Sequence, residues 1–318
     1  MIDFLKDILP APNAGEVFVT GTLKQLSGRD VKVMTHQYAE THARLAVILT
    51  NFDNDSQDTY FALARYNPHK SKSGKSPGRQ GEHVRAVKSF WLDLDCGEDK
   101  ATAGDGYATK KQASEALSAF LEVNSLILPS HVVDSGGGIH VYFALTEEIP
   151  PEKWNPVADK LKKLCDTHGF LADKSRTNDI ASVLRPPGTH NYKPKYGTPR
   201  PVKIKYTGAL ISFAEFAGAI DSALEKYDVN CKLMSRIPSL VYPADGNTGA
   251  EYGPPDIDKL QSALSVLDPD CEEPTWKLHR IAPLVLAAKQ HPELHDQLKE
   301  LGRQWSRGDL YTEATHDR

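Results

Sequence analysis

The sequence predicts an α+β protein in which a mixed region of strands and helices is followed by a region that is helical only. Up to about residue 225, β-branched or aromatic runs bounded by turn residues alternate with amphipathic helical patterns. From Asp256 onward, apolar residues recur only at helical spacing. Between these regions, Asp228 to Pro255 is rich in Pro, Gly, Asp and Asn, which predicts a linker. We therefore expect domains at 1–227 and 256–318, joined by 228–255.

The strands are predicted from short runs with strand-forming side chains between turn residues. Most of these runs are β-branched or aromatic, which suits a pleated and partly buried surface. In chain order they are Val17 to Thr22, Ala46 to Thr50, Thr59 to Ala64, Phe90 to Leu94, His131 to Asp134, His140 to Leu145 and Val202 to Tyr206.

The helices are predicted from capping signals and apolar stripes. Thr109 can cap a helix that runs through Val123, Pro150-Pro151 opens another through His168, and Ser212-Phe213-Ala214-Glu215 is a capping box. In the C-terminal region, one stripe predicts a first helix and later apolar residues predict two more. The first stripe is Ile257, Leu260, Leu264 and Leu267, and the later residues are Trp276, Ile281, Leu284, Leu286, Leu294, Leu298, Leu301 and Trp305.

Composition limits the class of protein. The chain has 318 residues, of which 40% are hydrophobic and 25% charged, so it is long enough to bury one large core or two smaller ones. It contains no apolar run long enough to span a membrane and no secretory signal at its N-terminus, so we expect a cytoplasmic protein. The four cysteines are far apart and show no CxxC spacing, so we expect reduced thiols and no structural zinc.

The most informative feature is an Asp-x-Asp pair at the end of an apolar run, Phe90-Trp91-Leu92-Asp93-Leu94-Asp95. Because side chains alternate along a strand, Asp93 and Asp95 project from the same face, with backbone positions about 6.6 Å apart. Two neighbouring carboxylates repel each other unless a cation lies between them, and one or two divalent ions can bridge this span. The alternative is a strand that runs into a polar turn, because Cys96-Gly97-Glu98 follows.

A second motif, Asp134-Ser135-Gly136-Gly137-Gly138-Ile139-His140, places three glycines between two predicted strands. Without side chains, their backbone can curl so that N–H groups face an anion, and the His140 ring can reach a phosphate oxygen. A glycine-rich hairpin next to a core histidine is the alternative interpretation.

A third motif runs from Asn178 to Lys193 and contains Asp179, Arg185 and a Pro186-Pro187-Gly188 turn. A third carboxylate would complete a two-metal site, and a guanidinium suits a polyphosphate leaving group. Alternatively, Asp179 caps the segment that follows it.

The net charge of −4 conceals two basic segments. From Arg65 to Lys88 the only acidic residue is Glu82, and from Arg185 to Lys205 there is none, while His190, Tyr192 and Tyr196 are interleaved. Cations combined with stackable rings favour nucleic-acid or triphosphate binding, although a solvated basic surface is the alternative. The candidate nucleic-acid-binding residues are Arg65, Lys70, Lys72, Lys75, Lys193 and Lys195.

The order of these three blocks resembles that of the archaeo-eukaryotic primase superfamily, in particular the primase-polymerases of phages, plasmids and mobile elements. The resemblance rests on Asp93-x-Asp95, on Ser135 to His140, and on Asp179 with Leu184-Arg185-Pro186-Pro187-Gly188-Thr189-His190-Asn191-Tyr192-Lys193. It implies a catalytic core with an RRM-like antiparallel sheet and flanking helices. The family's second motif usually has serine two residues before the histidine, where this chain has Gly138.

The resemblance implies a DNA primase-polymerase, a nucleotidyltransferase that makes and extends primers on single-stranded DNA by two-metal transfer from nucleoside triphosphates. Asp93, Asp95 and Asp179 would then be the catalytic ligands of Mg²⁺ or Mn²⁺. The nucleotide-binding residues would be Ser135, Gly136, Gly137, Gly138, His140 and Arg185. The segment from Asp256 resembles the small helical PriCT-type domain of such proteins, and a replicative helicase is an expected partner.

Two other functions also agree with the sequence. A haloacid-dehalogenase-like phosphohydrolase also has an Asp-x-Asp after an apolar strand, but it expects a Gly-Thr or Gly-Ser turn where this chain has Cys96-Gly97. A non-catalytic replication initiator or single-strand-binding module would use the basic segments without turnover.

Overall fold

The computed structural model describes residues 1–25, 32–71, 74, 77–236, 256–264, 284 and 291–305. The chain divides into two compact units, Met1–Val229 and Asn230–Arg318. The described strands are β1 Val17–Gln25, β2 Lys32–Ala39, β3 Thr59–Tyr66, β4 Val84–Asp95, β5 His131–Asp134, β6 Gly138–Ile149, β7 Val183–Leu184, β8 His190–Asn191, β9 Arg200–Pro201 and β10 Lys203–Thr207. The helices are α1 Ile2–Ile8, α2 His42–Asn54, α3 Glu98–Ala103, α4 Lys110–Val123, α5 Pro151–Thr167, α6 Phe213–Arg236, α7 Ile257–Leu264 and α8 His295–Trp305.

The first unit is built on one antiparallel sheet with the strand order β10-β5-β6-β4-β3-β1-β2, and β7 also pairs with β3. A separate antiparallel ribbon is formed by β8 and β9. Helices accompany the sheet, so the α+β class and the antiparallel sheet are confirmed. No described helix is both long enough and apolar enough to cross a membrane.

The central strand β4 is buried on both of its faces. Phe90, Trp91 and Leu92 are fully buried, and the rings of Phe90 and Trp91 stack on Trp154 of α5 at 5.6 and 4.9 Å. Phe90 also stacks on Phe216 of α6 at 4.6 Å. An apolar strand between packed layers keeps its position and direction, so the acidic residues at its end are held on a rigid element.

The strand predicted from Ala46 to Thr50 is wrong, because this segment lies inside helix α2. Thr41 caps this helix, its side chain accepting a hydrogen bond from Arg44 N at 3.1 Å. Leu45, Ile48 and Leu49 then bury one helical face, and this i, i+3, i+4 packing outweighs the strand preference of the local β-branched pair. The sequence did not predict α1, β2, α3 or the two-residue strands β7, β8 and β9.

The other helix predictions for the first unit are confirmed. Thr109 and Gln112 form a capping box for α4, α5 begins at Pro151, and Ser212 and Glu215 bond reciprocally at the start of α6. However, α6 extends to Arg236, so the linker predicted from Asp228 begins with helix. The rest of the predicted linker lies outside the described residues.

In the second unit, the described apolar residues form a small core of their own. Leu264, Leu284, Leu298 and Leu301 are buried, and Ile257, Leu260 and Leu294 pack against them. Helices α7 and α8 confirm the stripes predicted there, whereas Leu267, Trp276, Ile281 and Leu286 lie outside the described residues. Cys96 and Cys165 are free thiols.

Candidate active site

The pairing of β4 with β6 brings the first two motifs together. In this antiparallel register Asp93 lies opposite His140, and Asp95 lies opposite Gly138. The side chains of the first pair also approach each other, with His140 Nε2 3.7 Å from Asp93 Oδ1. Because directly paired residues share a face of the sheet, the Asp-x-Asp motif and the histidine point into one space.

That space is a cavity of about 130 Å³ in which acidic and basic side chains meet. The acidic members come from β4 and from the loop after α5, and the basic members come from that loop and from the segment between β7 and β9. The lining residues are Tyr60, Asp93, Asp95, Ser135, Gly137, His140, Asp173, Arg176, Val183, Leu184, Arg185, Asn191 and Lys193.

The third acidic residue of the cavity is Asp173, whereas Asp179 does not line it. Asp179 Oδ1 accepts a hydrogen bond from Ala181 N at 3.0 Å, and Oδ2 accepts one from Ser182 Oγ at 3.3 Å, so it caps the segment that follows. Asp173 is held next to the Asp-x-Asp strand because its N–H donates to Asp93 O at 2.8 Å. Among the described residues, the acidic side chain that shares the cavity with Asp93 and Asp95 is therefore Asp173 and not the predicted Asp179.

Asp173 and Arg176 were not predicted from the sequence, although they lie just before the third motif, which begins at Asn178. Asp173 begins a turn in which Arg176 N and Thr177 N donate to Asp173 O at 3.0 and 3.2 Å. Its carboxylate accepts from Ser175 N and lies 3.7 Å from Arg176 Nε. An Asp-x-Ser turn is common as a cap, so only the hydrogen bond to β4 distinguishes this residue.

The carboxylate of Asp93 is in an unfavourable electrostatic environment. Burial, together with the charges of Asp95 and Asp173, raises the pKa of Asp93 to about 7. Asp95 makes an ion pair with Lys100, whose Nζ lies 2.7 Å from Asp95 Oδ2. Repulsion among carboxylates at one place is what a bound cation relieves.

The donor set therefore fits a divalent cation such as Mg²⁺ or Mn²⁺ by its chemistry. Asp93, Asp95 and Asp173 supply hard carboxylate oxygens at a single cavity. Within the described part of the chain, no group of three or more His, Cys, Asp or Glu side chains is already arranged to hold a metal ion.

His140 is a neutral ring in this cavity. Burial lowers the pKa of His140 to about 3, and the charges of Arg185 and Lys193 act in the same direction. Its Nδ1 lies 3.4 Å from the hydroxyl of Tyr142. A neutral imidazole can donate one hydrogen bond to an oxygen of a ligand without adding to the positive charge already present.

The basic side chains of the cavity differ in the contacts that they make within the protein. Arg185 is buried, with Nη2 3.0 Å from Asp58 Oδ1 and also bonded to the Tyr60 hydroxyl. Its Nε has no hydrogen-bond partner among the described residues. Lys193 forms part of the same wall, and burial and the charge of Arg185 lower its pKa. A dense group of cations with unused donors favours an anionic ligand.

The glycine-rich loop contributes close packing more than free N–H donors. Ser135 N donates to Gly138 O at 3.0 Å, and Gly136 N donates to Asp134 Oδ1 at 2.8 Å, so these two donors are not free for a phosphate. Gly136 has a φ of +77°, a conformation that suits glycine. Ser135 and Gly137 line the cavity, but the N–H groups of Ser135 and Gly136 are already bonded within the loop.

Gly138 is expected to tolerate no side chain, because a Cβ atom there would lie 2.3 Å from Leu94 O on the paired strand. We expect Gly138→Ala to lower the free energy of unfolding by roughly 2 kcal/mol or more through displacement of β4 from β6. Gly218→Ala in α6, where a Cβ meets nothing within 4 Å, is the control and should be neutral or stabilising. Urea denaturation of both variants checks this, and equal stabilities would contradict the close-packing argument.

The predicted nucleic-acid-binding residues fall into different environments. Arg65 is buried and paired with Glu16 and Glu148, so its assignment is corrected to a structural ion-pair network. Lys193 lies in the cavity wall, and Lys195 is exposed at 3.0 Å from Asp99. Lys70 is exposed. Lys72 and Lys75 lie outside the described residues.

We expect Asp93→Asn to stabilise the protein in the absence of metal at pH 8. Burial, with the charges of Asp95 and Asp173, raises the pKa of Asp93 to about 7, well above the usual range of an aspartate, so the folded state binds this proton more tightly than the unfolded chain. The stability associated with the proton is complete below about pH 4 and is lost as pH rises through 7. At pH 8 the asparagine variant should therefore melt about 5 °C higher in EDTA, and this difference should vanish near pH 4. Equal melting temperatures at pH 8 would contradict the electrostatic argument.

Comparison with family models gives no match to this chain, and comparison with curated proteins gives none either. Solved structures similar to it are primase and polymerase domains. The AEP domain of the cyanophage S-2L primase-polymerase is 13% identical, with a TM-score of 0.45 over 65% of this chain and 90% of that one. The catalytic domain of primase RepB′ in complex with initiator DNA is 13% identical, with a TM-score of 0.36 over 71% and 92%. The polymerase domain of Mycobacterium tuberculosis ligase D in complex with DNA is 14% identical, with a TM-score of 0.33 over 74% and 90%.

Proposed function

We propose that this protein is a DNA primase-polymerase that transfers nucleotidyl groups from nucleoside triphosphates to a 3′-hydroxyl on a single-stranded DNA template. The observation that supports this proposal is the composition of the cavity. Three carboxylates, from Asp93, Asp95 and Asp173, share it with the cationic side chains of Arg176, Arg185 and Lys193. Carboxylates suit divalent cations and the basic groups suit a triphosphate, so one space has groups for both.

In this proposal, Asp93, Asp95 and Asp173 hold Mg²⁺ or Mn²⁺. Divalent cations bound there would supply activation of the attacking hydroxyl and neutralisation of the charge on the phosphates. The carboxylates are positioned for this by β4, whose apolar residues are fully buried, and by the hydrogen bond from Asp173 N to Asp93 O. Positioning by rigid elements is the main contribution of the protein to such a reaction.

The basic side chains that line the cavity bind the triphosphate; they are Arg176, Arg185 and Lys193, called the basic wall below. Arg185 is oriented by Asp58 and Tyr60, and its ring contact with Tyr60, 4.5 Å from the guanidinium carbon to the centroid, keeps the guanidinium in one plane. Lys193 adds a second positive charge, and His140 lines the same cavity as a candidate triphosphate contact. The charge that develops on the leaving pyrophosphate is therefore met by groups already in place.

The template is proposed to bind outside the cavity through exposed basic residues, among which Lys70 and Lys195 remain candidates. The helical segment from Asp256 is proposed as a PriCT-like accessory domain, and a replicative helicase as a partner. These assignments follow from the resemblance of the sequence blocks.

The proposal is tested by incubating the protein with circular single-stranded DNA, ribo- or deoxynucleoside triphosphates in turn, and Mg²⁺ or Mn²⁺, and then sizing the products. Template-dependent products that disappear in EDTA are expected. DNA binding without incorporation under any of these conditions would indicate the non-catalytic binding module. Release of phosphate from monoesters without incorporation would indicate the phosphohydrolase.

A further inference from the structure

The segment that supplies Arg185 and Lys193 to the cavity continues into an exposed, positively charged surface. Lys193 lies in the connection between β8 and β9, and Asn191 of β8 lines the cavity and pairs with Arg200 of β9. Strand β10 follows, and all five of its residues are exposed. From residue 180 to residue 214 the sequence contains no acidic residue. A surface of this composition attracts a polyanion.

The ribbon of β8 and β9 forms part of the rim of the cavity. Gly137, which lines the cavity, lies so close to Tyr196 that a Cβ atom added to the glycine would overlap the tyrosine hydroxyl. Arg200 Nη1 donates a hydrogen bond to Gly136 O at 3.3 Å. A ligand that leaves the cavity past Gly137 therefore meets Tyr196 and Arg200.

Tyr196 and Arg200 form what we call the rim platform. The guanidinium carbon of Arg200 lies 3.8 Å from the centroid of the Tyr196 ring, a distance at which the two groups pack against each other. This contact and the hydrogen bond to Gly136 O restrict the orientation of the guanidinium. Arg200 is nevertheless exposed, and Tyr196 is half-buried. The platform is thus held in place by the protein and is accessible from solvent.

Lys195 supplies a second exposed cation at the rim platform. Its Nζ lies 5.4 Å from the centroid of the Tyr196 ring and 3.0 Å from Asp99 Oδ2. Both members of this ion pair are exposed, and exposed ion pairs contribute little, so a phosphate can replace Asp99 at small cost. Lys203 and Lys205 of β10 extend the positive charge away from the cavity.

This combination favours single-stranded nucleic acid over a small anion or an acidic peptide. Unpaired bases stack on guanidinium planes and on aromatic rings, and a base within a duplex cannot do so. Lysines bind backbone phosphates as point charges. The platform and the lysines next to it offer both kinds of contact, whereas an anion without bases would use only the charges.

We propose that the rim platform stacks an unpaired base of the single-stranded DNA template while Lys195 contacts a neighbouring backbone phosphate. The site rests on the proposed function, because the template of a primase-polymerase is single-stranded where it enters the cavity. Of the two lysines suggested above as template contacts, Lys195 and Lys70, it selects Lys195. The template then approaches the cavity over the ribbon, on the side of Gly137.

The test uses the full chain in EDTA and two labelled 20-mers, one of thymidines and one with the same backbone and no bases. Arg200→Lys keeps the charge but loses the planar group, Tyr196→Leu removes the ring, and Tyr196→Phe keeps it. Arg44→Lys, at an exposed arginine of α2, is the matched control. Binding is measured by fluorescence anisotropy over a salt series.

We expect Arg200→Lys and Tyr196→Leu each to weaken binding of the thymidine 20-mer about fivefold and binding of the abasic 20-mer less than twofold, because only stacking is lost. Tyr196→Phe and Arg44→Lys should bind both 20-mers within about twofold of the wild type. Arg200→Gln also removes the charge, so it should weaken binding of the abasic 20-mer as well and reduce the salt slope by about 0.7.

Equal losses for the two 20-mers in Arg200→Lys and Tyr196→Leu would mean that the ribbon acts through charge or folding alone, and would overturn the proposal. Wild-type binding in both variants would overturn it too. Equilibrium dialysis of a nucleoside triphosphate with Mg²⁺ adds a third outcome. If Arg200→Lys weakens binding of the triphosphate but not of the thymidine 20-mer, the platform serves the incoming nucleotide and the proposal is wrong.

These DNA-binding measurements need no turnover, so the site and the proposed activity can fail separately. A base-dependent loss in a protein that incorporates no nucleotide would support the site and indicate a non-catalytic binding module. Unchanged DNA binding in variants of a protein that does incorporate nucleotide would remove the site and leave the activity.

Discussion

Replacing Asp93 and Asp95 together with alanine is expected to lower nucleotide incorporation on single-stranded DNA by at least about a thousandfold while the protein stays folded. Both side chains belong to the end of β4 and line the cavity, where they are two of the three carboxylates that can hold a divalent cation. Without them, the triphosphate meets the basic wall alone, and the attacking hydroxyl lacks activation. The rate is measured with labelled nucleotide at saturating Mg²⁺ or Mn²⁺, in parallel with thermal melting.

A matched control removes the same number of charges elsewhere. Asp55 at the end of α2 and Asp296 in α8 are exposed, and replacing both with alanine should leave incorporation within about twofold of the wild type. The melting temperature of the Asp93→Ala, Asp95→Ala protein should not fall at pH 8, because loss of the Asp93 carboxylate removes a buried charge that its acidic neighbours repel. Full activity in the Asp93→Ala, Asp95→Ala protein would end the assignment of this cavity as the active site.

The second large effect is expected at Asp173, which sequence analysis did not select. Asp173→Asn should reduce incorporation at least about a hundredfold and weaken binding of Mn²⁺ in the absence of nucleotide at least about tenfold. The asparagine keeps the size of the side chain, and the hydrogen bond from the backbone N–H to Asp93 O does not depend on the substitution. Mn²⁺ binding is followed by electron paramagnetic resonance, a readout that does not require turnover.

Asp179→Asn is the matched control for Asp173→Asn. It lies six residues further along in the same segment, has the same chemistry, and caps Ala181 and Ser182 without lining the cavity. We expect it to lose at most about 1 kcal/mol of stability and to bind Mn²⁺ like the wild type. If instead Asp179→Asn loses metal binding and Asp173→Asn does not, the third ligand is the one predicted from the sequence and the cavity described above is not the metal site.

Local patterns in the sequence were sufficient for much of the fold. Strand β4, the paired acidic residues at its end, the α4 and α6 capping boxes and the proline that opens α5 all depend on neighbouring residues, so they could be predicted. Helix α2 shows the limit of this reasoning. Its β-branched residues favour a strand locally, but a helix buries Leu45, Ile48 and Leu49 together, and that burial depends on the rest of the core.

The candidate site, like the fold, could be predicted from the sequence only in part. Alternation along one strand was enough to place Asp93 and Asp95 on one face, and the composition of the second motif was enough to select His140 as a candidate. No local pattern could choose between Asp173 and Asp179, because both occur in turns and both cap backbone N–H groups. The tertiary structure distinguishes them, because Asp173 lines the cavity and its N–H donates to Asp93 O, a residue far away in the sequence, whereas Asp179 does not line the cavity.

By itself, then, the sequence determined the α+β class, the strand that carries the Asp-x-Asp pair and the presence of two basic segments, because these follow from the periodicity and charge of adjacent residues. Only the tertiary structure decided which acidic and basic side chains share a cavity, and that Arg65 is paired with Glu16 and Glu148 instead of being free to bind nucleic acid. The physical reason is that pairing of charges and hydrogen bonds depends on distances of a few ångströms between residues that the register of the sheet and the packing of loops bring together.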